Sequence, residues 1–274
     1  GFKYTFDLGI KAIEFDVLIS KDNIPVLFHD YTLNTNMVKD ENGNWIDNFD
    51  LKIMDLTYDQ ISNYSIESLK PGSGYSDRFK NQKSVEGAKI PKLIDLFKLA
   101  NKENYKDVFL NLEVKSNPNL NDVTPEPKEM VATILKDIKD YNLEDRIVVT
   151  SFDWRILYEL KKQNPNVLRG FLTLQQNLGS TKKNIYENSP WINKEFTMEE
   201  LFLLPNIIKS IEGHVWSAFY RDITKQNIEL AHKQGLAVNV WTVNREQDII
   251  RMIEYGVDGI ITDYPKKVQE ICKS

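Results

Sequence analysis

The sequence predicts an α/β fold, and within that class it favours a (β/α)8 barrel. Apolar runs of strand type alternate with amphipathic runs of helix type along most of the 274 residues. Such alternation is typical of parallel strands joined by right-handed helical crossovers. Seven strand-like runs are recognisable, so one more strand would complete a barrel, and the chain length suits one large α/β domain. An open doubly wound sheet is the alternative, because it can also hold seven strands.

The predicted strands are short apolar runs, and the predicted helices carry apolar residues at spacings of three and four. The strands are residues 13–19, 108–114, 147–152, 168–172, 214–217, 237–243 and 259–262. The clearest helices are residues 130–141, 154–163, 224–234 and 246–254.

Residues 25–28 follow the first strand too closely for a crossover helix, since only residues 20–24 separate them. They predict an antiparallel hairpin, which brings His29 back toward the first strand. Residues 31–89 are polar and much longer than an ordinary loop. We interpret them as a small insertion subdomain in which residues 56–61 begin a short helix, and we expect residues 175–190 to be irregular.

The chain opens as Gly1-Phe2-Lys3-Tyr4, which has the pattern of a helix with no strand before it. We therefore expect the first barrel strand to lie upstream of Gly1. Residues 1–274 are then expected to form a single barrel domain that carries the insertion.

Composition excludes several classes of function. The apolar share of 41% and charged share of 27% are ordinary for a globular protein. A net charge of −5 with no long basic run disfavours nucleic acid as a partner. No segment approaches about 18 consecutive apolar residues, so no transmembrane segment is predicted. The lone Cys272 excludes an internal disulfide framework and a thiolate metal site.

Two carboxylates lie in the first predicted strand, within Ala12-Ile13-Glu14-Phe15-Asp16-Val17. Residues i and i+2 of a strand share a face, so Glu14 and Asp16 point the same way. The sequence places no Lys or Arg at a matching spacing to neutralise both. Two unpaired acids are costly to desolvate unless a cation or a proton joins them. A divalent cation is the simplest candidate, because hard cations prefer carboxylate oxygens.

A second strand, residues 109–115, alternates polar and apolar side chains. Asn111, Glu113 and Lys115 share the face expected to meet the barrel interior, and the last two lie at the carboxyl end, where barrel active sites form. The alternative is a buried Glu–Lys layer that only packs the barrel. His29, at the end of the hairpin, is a candidate general acid or base, or else a surface histidine capped by Asp30.

Trp241 is expected to face inward near the barrel mouth, as a pocket wall or as core packing, and Phe152 is a weaker candidate of the same kind. We interpret His214 and His232 as structural. Asp263 ends the last strand and could face the site, but Asp263-Tyr264-Pro265 also has the pattern of a turn, which we favour. No glycine-rich nucleotide fingerprint and no Gly-x-Ser-x-Gly elbow is present. The chemistry therefore looks metal-assisted and acid–base.

Taken together in this order, these motifs resemble the glycerophosphodiester phosphodiesterases over nearly the whole chain. The motifs are Glu14-Phe15-Asp16-Val17, Lys21-Asp22-Asn23, Val26-Leu27-Phe28-His29-Asp30, Glu113-Val114-Lys115, Ser151-Phe152-Asp153-Trp154, Val240-Trp241-Thr242-Val243-Asn244 and Gly256-Val257-Asp258-Gly259-Ile260-Ile261-Thr262-Asp263. The resemblance implies a TIM barrel that hydrolyses glycerophosphodiesters to glycerol 3-phosphate and an alcohol.

The resemblance also implies roles for the residues that match the family's motifs. Glu14, Asp16 and Glu113 would bind the divalent cation, usually Ca²⁺ or Mg²⁺. His29 would be one of two catalytic histidines, and Lys115 would be catalytic by neutralising phosphate charge. Phe152 and Trp241 would line the substrate pocket together with Lys115, and the insertion would match residues 31–89.

The sequence departs from the family's pattern at its start. The family's His-Arg-Gly and Pro-Glu-Asn-Thr segments, which supply the second histidine, an arginine and a further metal carboxylate, have no counterpart here. Two other functions are therefore kept open. One is a phosphodiesterase of the lysophospholipase D or sphingomyelinase D type, and the other is a catalytically silent barrel that binds glycerol phosphates.

The compartment is expected from the resemblance alone. Ser151-Phe152-Asp153-Trp154-Arg155 and Trp216-Ser217 are similar to the exported bacterial branch of the family. This similarity favours a periplasmic or secreted protein over a cytoplasmic one.

Overall fold

The sheet lies at the centre of the protein and is seen here in a computed structural model that describes residues 1–120, 122–179 and 181–273. Its strands are β1 (Ala12–Ile19), β2 (Pro25–Leu27), β3 (Phe109–Val114), β4 (Ile147–Ser151), β5 (Leu168–Thr173), β6 (Val215–Phe219), β7 (Ala237–Trp241) and β8 (Gly259–Ile260). Within the described residues they form one eight-stranded sheet in the order β2-β1-β3-β4-β5-β6-β7-β8.

The strand pairs β1–β3, β3–β4, β4–β5, β5–β6, β6–β7 and β7–β8 are parallel. In the described sheet, the pair β1–β2 is antiparallel. The predicted hairpin is therefore confirmed. Its turn is tight because Asn23 adopts a left-handed backbone, with φ of 58°. The described strands include seven parallel ones, and the eighth, expected upstream of Gly1, stays a prediction.

Helices lie between the parallel strands, within residues 31–89, before β1 and after β8. They are α1 (Phe2–Asp7), α2 (Tyr58–Ile61), α3 (Gly74–Arg78), α4 (Leu93–Ala100), α5 (Pro127–Asp140), α6 (Trp154–Gln163), α7 (Met198–Leu201), α8 (Leu204–Ser210), α9 (Lys225–Lys233), α10 (Glu246–Tyr255) and α11 (Pro265–Ile271). The sequence predicts α5, α6, α9 and α10 to within a few residues. In the described ranges, no helix has both the length and the apolar character needed to cross a membrane.

The strand alternation decides which side chains meet the helices. Leu110, Leu112 and Val114 of β3 are buried in a core with Met130 and Ile134 of α5. Their neighbours Asn111 and Glu113 therefore point to the opposite, inner face. The predicted division of this strand into an apolar outer face and a polar inner face is confirmed.

The insertion has a core of its own. Leu18 and Val26 of the hairpin pack with Leu33, Ile53 and Ile61, which lie in the inserted segment. The short helix expected at residues 56–61 begins at Tyr58, because Thr57 forms a capping box with Gln60. The interpretation of residues 31–89 as one subdomain stays a prediction.

Several strand ends differ from the sequence analysis. The largest differences are in β6, which continues to Phe219 instead of ending at residue 217, in β7, which ends at Trp241 instead of residue 243, and in β8, which ends at Ile260 instead of residue 262. The segments that follow β7 and β8 leave the sheet to form hydrogen-bonded loops, in which the Val243 amide donates to the carbonyl of Ile261 at 2.9 Å. Apolar composition alone does not mark the point where pairing stops.

Gly170 provides a test of packing inside the sheet. A Cβ atom at this position would lie 2.4 Å from Cγ2 of Thr150, which is closer than a packed interior tolerates. We expect Gly170→Ala to lower the free energy of unfolding by about 1–3 kcal/mol in urea denaturation. Gly74→Ala is the control, since its Cβ would meet no atom within 4 Å. Equal stability of the two variants would contradict this packing.

Candidate active site

Three carboxylates converge at one end of the sheet. The parallel register places Asp16 of β1 directly beside Glu113 of β3, and Glu14 beside Asn111. Partners in a parallel pair face the same side, so all three acids point into the same space. One ligand oxygen from each of Glu14, Asp16 and Glu113 lies within 4.8 Å of the others. The structure thus brings together the three residues predicted to bind a metal.

Burial and mutual repulsion both act on these acids. The pKa of Glu14 is raised well above its ordinary value, first by burial and then by the charges of Asp16 and Glu113. Burial also raises the pKa of Glu113, although the Lys115 ammonium opposes it. Negative charge is therefore unfavourable in this cluster unless a cation joins it.

Lys115 supplies a part of the missing positive charge. Its Nζ lies 2.8 Å from Oε1 of Glu113 and 3.6 Å from Oδ1 of Asp16, and its side chain is only 12% exposed. Burial disfavours the ammonium, but the charges of Glu113 and Asp16 outweigh this effect and raise the pKa of Lys115. The sequence analysis treats the acids as unneutralised, whereas the structure pairs two of them with this one cation.

The remaining imbalance fits a divalent metal ion. Three carboxylates face one ammonium, which leaves a formal charge of about −2 in a partly buried space. The donor set is oxygen only, which suits hard cations such as Ca²⁺ or Mg²⁺. The chemistry of the residues present therefore matches a divalent cation.

His29 lies at the end of the hairpin beside this cluster. Its Nδ1 pairs with Oδ1 of Asp30 at 2.7 Å, and Oδ2 of Asp30 accepts a hydrogen bond from Asn34. The hydrogen bond with Asp30 is the main reason why the pKa of His29 is raised, and the charge of Asp16 adds to it. Burial and the charge of Lys115 act in the opposite direction but do not outweigh this bond. The imidazole side chain is 65% exposed, so it is accessible to a ligand.

Aromatic side chains form a wall next to Lys115. The Phe152 ring meets the Trp241 ring edge-on at 5.2 Å, and Phe219 packs on Trp241 at 5.3 Å. The Lys115 ammonium lies 5.9 Å from the centre of the Phe152 ring. Trp241 Nε1 donates to the carbonyl of Ser217 at 3.1 Å, which fixes the indole in its orientation. The two predicted pocket residues are thus in contact with each other, and one of them also lies near the acidic cluster.

Two further residues reach the site although the sequence analysis does not select them. Tyr31 donates its hydroxyl to the carbonyl of Ser116, and burial raises its pKa to about 12. Asp263 accepts hydrogen bonds from Arg78 and Asn244, and its charge contributes to the raised pKa of Glu14. The sequence does contain a signal for each residue: Tyr31 directly follows His29-Asp30, and Asp263 follows the last strand.

The other two histidines lie away from this cluster, as the sequence analysis proposes. His232 on α9 pairs with Asp258, just before β8, at 2.9 Å. His214 precedes β6, and its Nδ1 accepts a hydrogen bond from the Arg169 amide at 3.2 Å. His214 lies at the amino end of β6, and His232 lies in the last turn of α9, where it contacts the residue that precedes β8.

Sequence comparison assigns a family to this arrangement. The profile of the glycerophosphoryl diester phosphodiesterase family matches residues 1–267. The chain belongs to this family. The match covers both strands of the acidic cluster, the hairpin with His29 and the loop that carries Phe152.

Related sequences that are named as phosphodiesterases or lysophospholipases support this assignment. The glycerophosphodiester phosphodiesterase of Caldanaerobacter subterraneus subsp. tengcongensis is 31% identical over 266 residues, which cover 97% of this chain and 87% of the relative. Lysophospholipase D of Homo sapiens is 24% identical over 282 residues, which cover 98% of this chain and 79% of the relative. The prediction of a phosphodiesterase family enzyme is confirmed.

Solved structures of the phosphodiesterase family share the fold. A protein from Silicibacter pomeroyi, assigned as a glycerophosphoryl diester phosphodiesterase, superposes with a TM-score of 0.85 at 32% identity, covering 98% of this chain and 85% of that one. An Oleispira antarctica phosphodiesterase, solved with the product sn-glycerol-3-phosphate, has a TM-score of 0.69 at 21% identity, covering 99% of this chain and 88% of that one. The predicted barrel class is therefore confirmed.

The charge imbalance predicts stabilisation by a divalent cation. We expect Ca²⁺ in large excess to raise the free energy of unfolding by about 2–4 kcal/mol, because it binds only the folded cluster. Glu14→Gln should abolish most of this gain, as measured by urea denaturation with and without Ca²⁺. Glu254→Gln is the control, since Glu254 is an exposed acid on α10. A gain that persists in Glu14→Gln would exclude Glu14 as a ligand.

The raised pKa values predict that acid weakens cation binding. Glu14 and Glu113 take up protons at a higher pH than their ordinary value of 4.5, and a protonated carboxyl is a poor ligand. By the same linkage, these two groups destabilise the cation-free fold at neutral pH and cease to do so as pH falls toward 4.5. Calorimetric titration with Ca²⁺ should give weaker binding at about pH 5.5 than at about pH 8. Equal affinities would contradict the assigned directions.

Proposed function

We propose that this protein hydrolyses glycerophosphodiesters to glycerol 3-phosphate and an alcohol in a reaction that depends on a divalent cation. The observation that carries the proposal is the convergence of Glu14, Asp16 and Glu113 beside Lys115, at the carboxyl end of β3 and the part of β1 that pairs with it. Barrel active sites form at this end. Family membership makes a phosphodiester the expected ligand.

The cation would be held by Glu14, Asp16 and Glu113. When bound, it supplies positive charge that screens the phosphodiester anion and polarises a phosphoryl oxygen. We propose Ca²⁺ or Mg²⁺ because the donor set consists of oxygens. The spacing of the three carboxylates is compatible with either ion, and parallel calorimetric titrations with Ca²⁺ and with Mg²⁺ would distinguish them.

Lys115 is the fixed cation of the site. Its ammonium is held by Glu113 and Asp16, so it stays charged and oriented without a substrate. A preorganised positive charge stabilises the additional negative charge that the phosphoryl group gains in the transition state. We propose that Lys115 contacts a non-bridging phosphoryl oxygen.

His29 is the proton-transfer residue of this cluster. Asp30 holds one ring nitrogen, Nδ1, which leaves Nε2 free to face the substrate. The hydrogen bond with Asp30 raises the pKa of His29, which favours the protonated imidazole that can donate a proton. The alcohol leaving group and the attacking oxygen each need such a proton transfer.

Phe152 and Trp241 form the proposed substrate wall. Their edge-to-face contact presents aromatic surface beside the Lys115 ammonium. Such surface suits the carbon skeleton of a glycerol or an alcohol headgroup. A lysophospholipid is the second candidate substrate, because the human relative named above is a lysophospholipase D. The hypothesis of a catalytically silent barrel is disfavoured, because the relatives are named as enzymes.

The activity test is release of glycerol 3-phosphate from glycerophosphocholine in the presence of Ca²⁺ or Mg²⁺, with EDTA as the metal-free arm. We expect cation-dependent release, and His29→Ala should reduce kcat by about 100-fold or more, because general acid–base catalysis contributes that much. His232→Ala is the matched control, since His232 is also an exposed histidine paired with an aspartate.

A lysophosphatidylcholine arm separates the two substrate classes. Release of choline from this lipid at a higher kcat/KM than from glycerophosphocholine would favour the lysophospholipase D activity. An equal loss of activity in His29→Ala and His232→Ala would contradict the role given to His29. The periplasmic or secreted location stays a prediction.

A further inference from the structure

A buried carboxylate behind the site has no part in the proposed chemistry. Asp153 follows β4 and is 0% exposed. Its oxygens accept hydrogen bonds from Nε and a terminal nitrogen of Arg155 at 2.7–3.1 Å, and from the Arg155 amide at 3.1 Å. Asp153 also caps the start of α6. A buried ion pair of this kind contributes little net stability, so its presence calls for a geometric explanation.

Asp153 is connected to the strand end that carries Lys115. Oδ2 of Asp153 accepts a hydrogen bond from Oγ of Ser116 at 2.7 Å, and Ser116 is itself buried. Next to this bond, Ser151 donates its hydroxyl to the carbonyl of Val114 at 2.8 Å and accepts from the Asp153 amide at 3.1 Å. Lys115 is therefore held on both sides, because Val114 and Ser116 are each tied to the end of β4.

Tyr31 adds the hairpin to the same connection. Its hydroxyl donates to the carbonyl of Ser116 at 3.0 Å, across 85 positions of sequence. Tyr31 follows Asp30 directly, so this bond anchors the His29-Asp30 segment to the end of β3. His29 itself is largely exposed and contacts Asp30 through a short local bond. The Tyr31 hydrogen bond therefore connects the segment that carries His29 to the end of β3, next to Lys115.

We propose that Tyr31, Ser116 and Asp153 are positioning residues, which hold His29 and Lys115 at a fixed separation across the acidic cluster. The inference extends the proposed function, because it names residues that set the geometry of the same site. None of the three needs to touch the substrate. Their effect arises from geometry, since a displacement of about 1 Å between reacting groups can cost about 100-fold in rate.

Tyr31→Phe is the sharpest variant, because it removes one hydroxyl and keeps the ring. We expect kcat for glycerophosphocholine to fall by about 10-fold to 100-fold, while KM and Ca²⁺ affinity change by less than about threefold. Cation affinity should be retained because Glu14, Asp16 and Glu113 are unchanged. A substitution that only loosens the fold would lower kcat and Ca²⁺ affinity and raise KM together.

Two matched controls are available in the chain. Tyr58 donates its hydroxyl to the carbonyl of Ile90 at 3.1 Å, and Tyr158 donates to the carbonyl of Ile192 at 2.9 Å. Each Tyr→Phe control thus loses one long-range bond of the same type, away from the acidic cluster. We expect kcat to stay within about twofold of the wild type in both controls. A fall in Tyr31→Phe no larger than in these controls would overturn the proposal.

Ser116→Ala and Asp153→Asn test the other half of the connection. Asp153→Asn could prevent folding, because it removes the charge that pairs with Arg155. Ser116→Ala removes only the hydrogen bond to Asp153, so it tests the same connection without that effect. We expect Ser116→Ala to lower kcat by about 10-fold with KM nearly unchanged. Combined with Tyr31→Phe it should lower kcat by less than the product of the two single effects, because both substitutions release the same strand end. Fully multiplicative effects would contradict a shared tether.

An NMR measurement separates this proposal from the proposed function. The chain contains three histidines, so the imidazole signal of His29 is assigned by its loss in His29→Ala. In Tyr31→Phe we expect this signal to shift or broaden while that of His232 stays unchanged. If the wild type releases no glycerol 3-phosphate, the proposed function is wrong. The His29 signal in Tyr31→Phe then still tests whether Tyr31 positions His29. An unchanged His29 signal would overturn the positioning role.

Discussion

The electrostatic repulsion among three buried or half-buried carboxylates is the constraint on which the rest of the site depends. Glu14, Asp16 and Glu113 share one space, and burial together with the charges of neighbouring acids makes the ionisation of Glu14 and Glu113 costly. A single lysine relieves only part of this cost. The fold must therefore supply enough packing energy elsewhere to tolerate the cluster, and a bound cation completes the charge balance.

The sheet meets this requirement through its register. Parallel pairing between β1 and β3 places the acids side by side, while the opposite faces of the same strands are buried against the helices. A shift of one residue would turn every acid toward the helices and every apolar side chain toward the site. The same hydrophobic contacts that stabilise the barrel thus also fix the position of the charged residues.

The insertion and the hairpin add the remaining groups. The insertion packs around the hairpin with its own apolar core. The backbone that carries His29 is therefore held in place by this packing, although the imidazole itself is exposed. The hydrogen bonds of Tyr31, Ser116 and Asp153 join this segment to the ends of β3 and β4. Protein sites gain accuracy when surrounding residues fix the groups that perform the chemistry.

Local pattern in the sequence was sufficient to predict the alternation of strands and helices, the hairpin, and the shared faces of Glu14 with Asp16 and of Glu113 with Lys115, because residue periodicity determines these features. It was not sufficient for the pairing of Lys115 with Asp16, for the tether from Tyr31 to Ser116, or for the contacts of Asp263. Those contacts join residues that are distant in sequence, and only the folded arrangement of the strands and the inserted segment brings them together. Distances between such groups are a property of the tertiary structure, since no local preference encodes them.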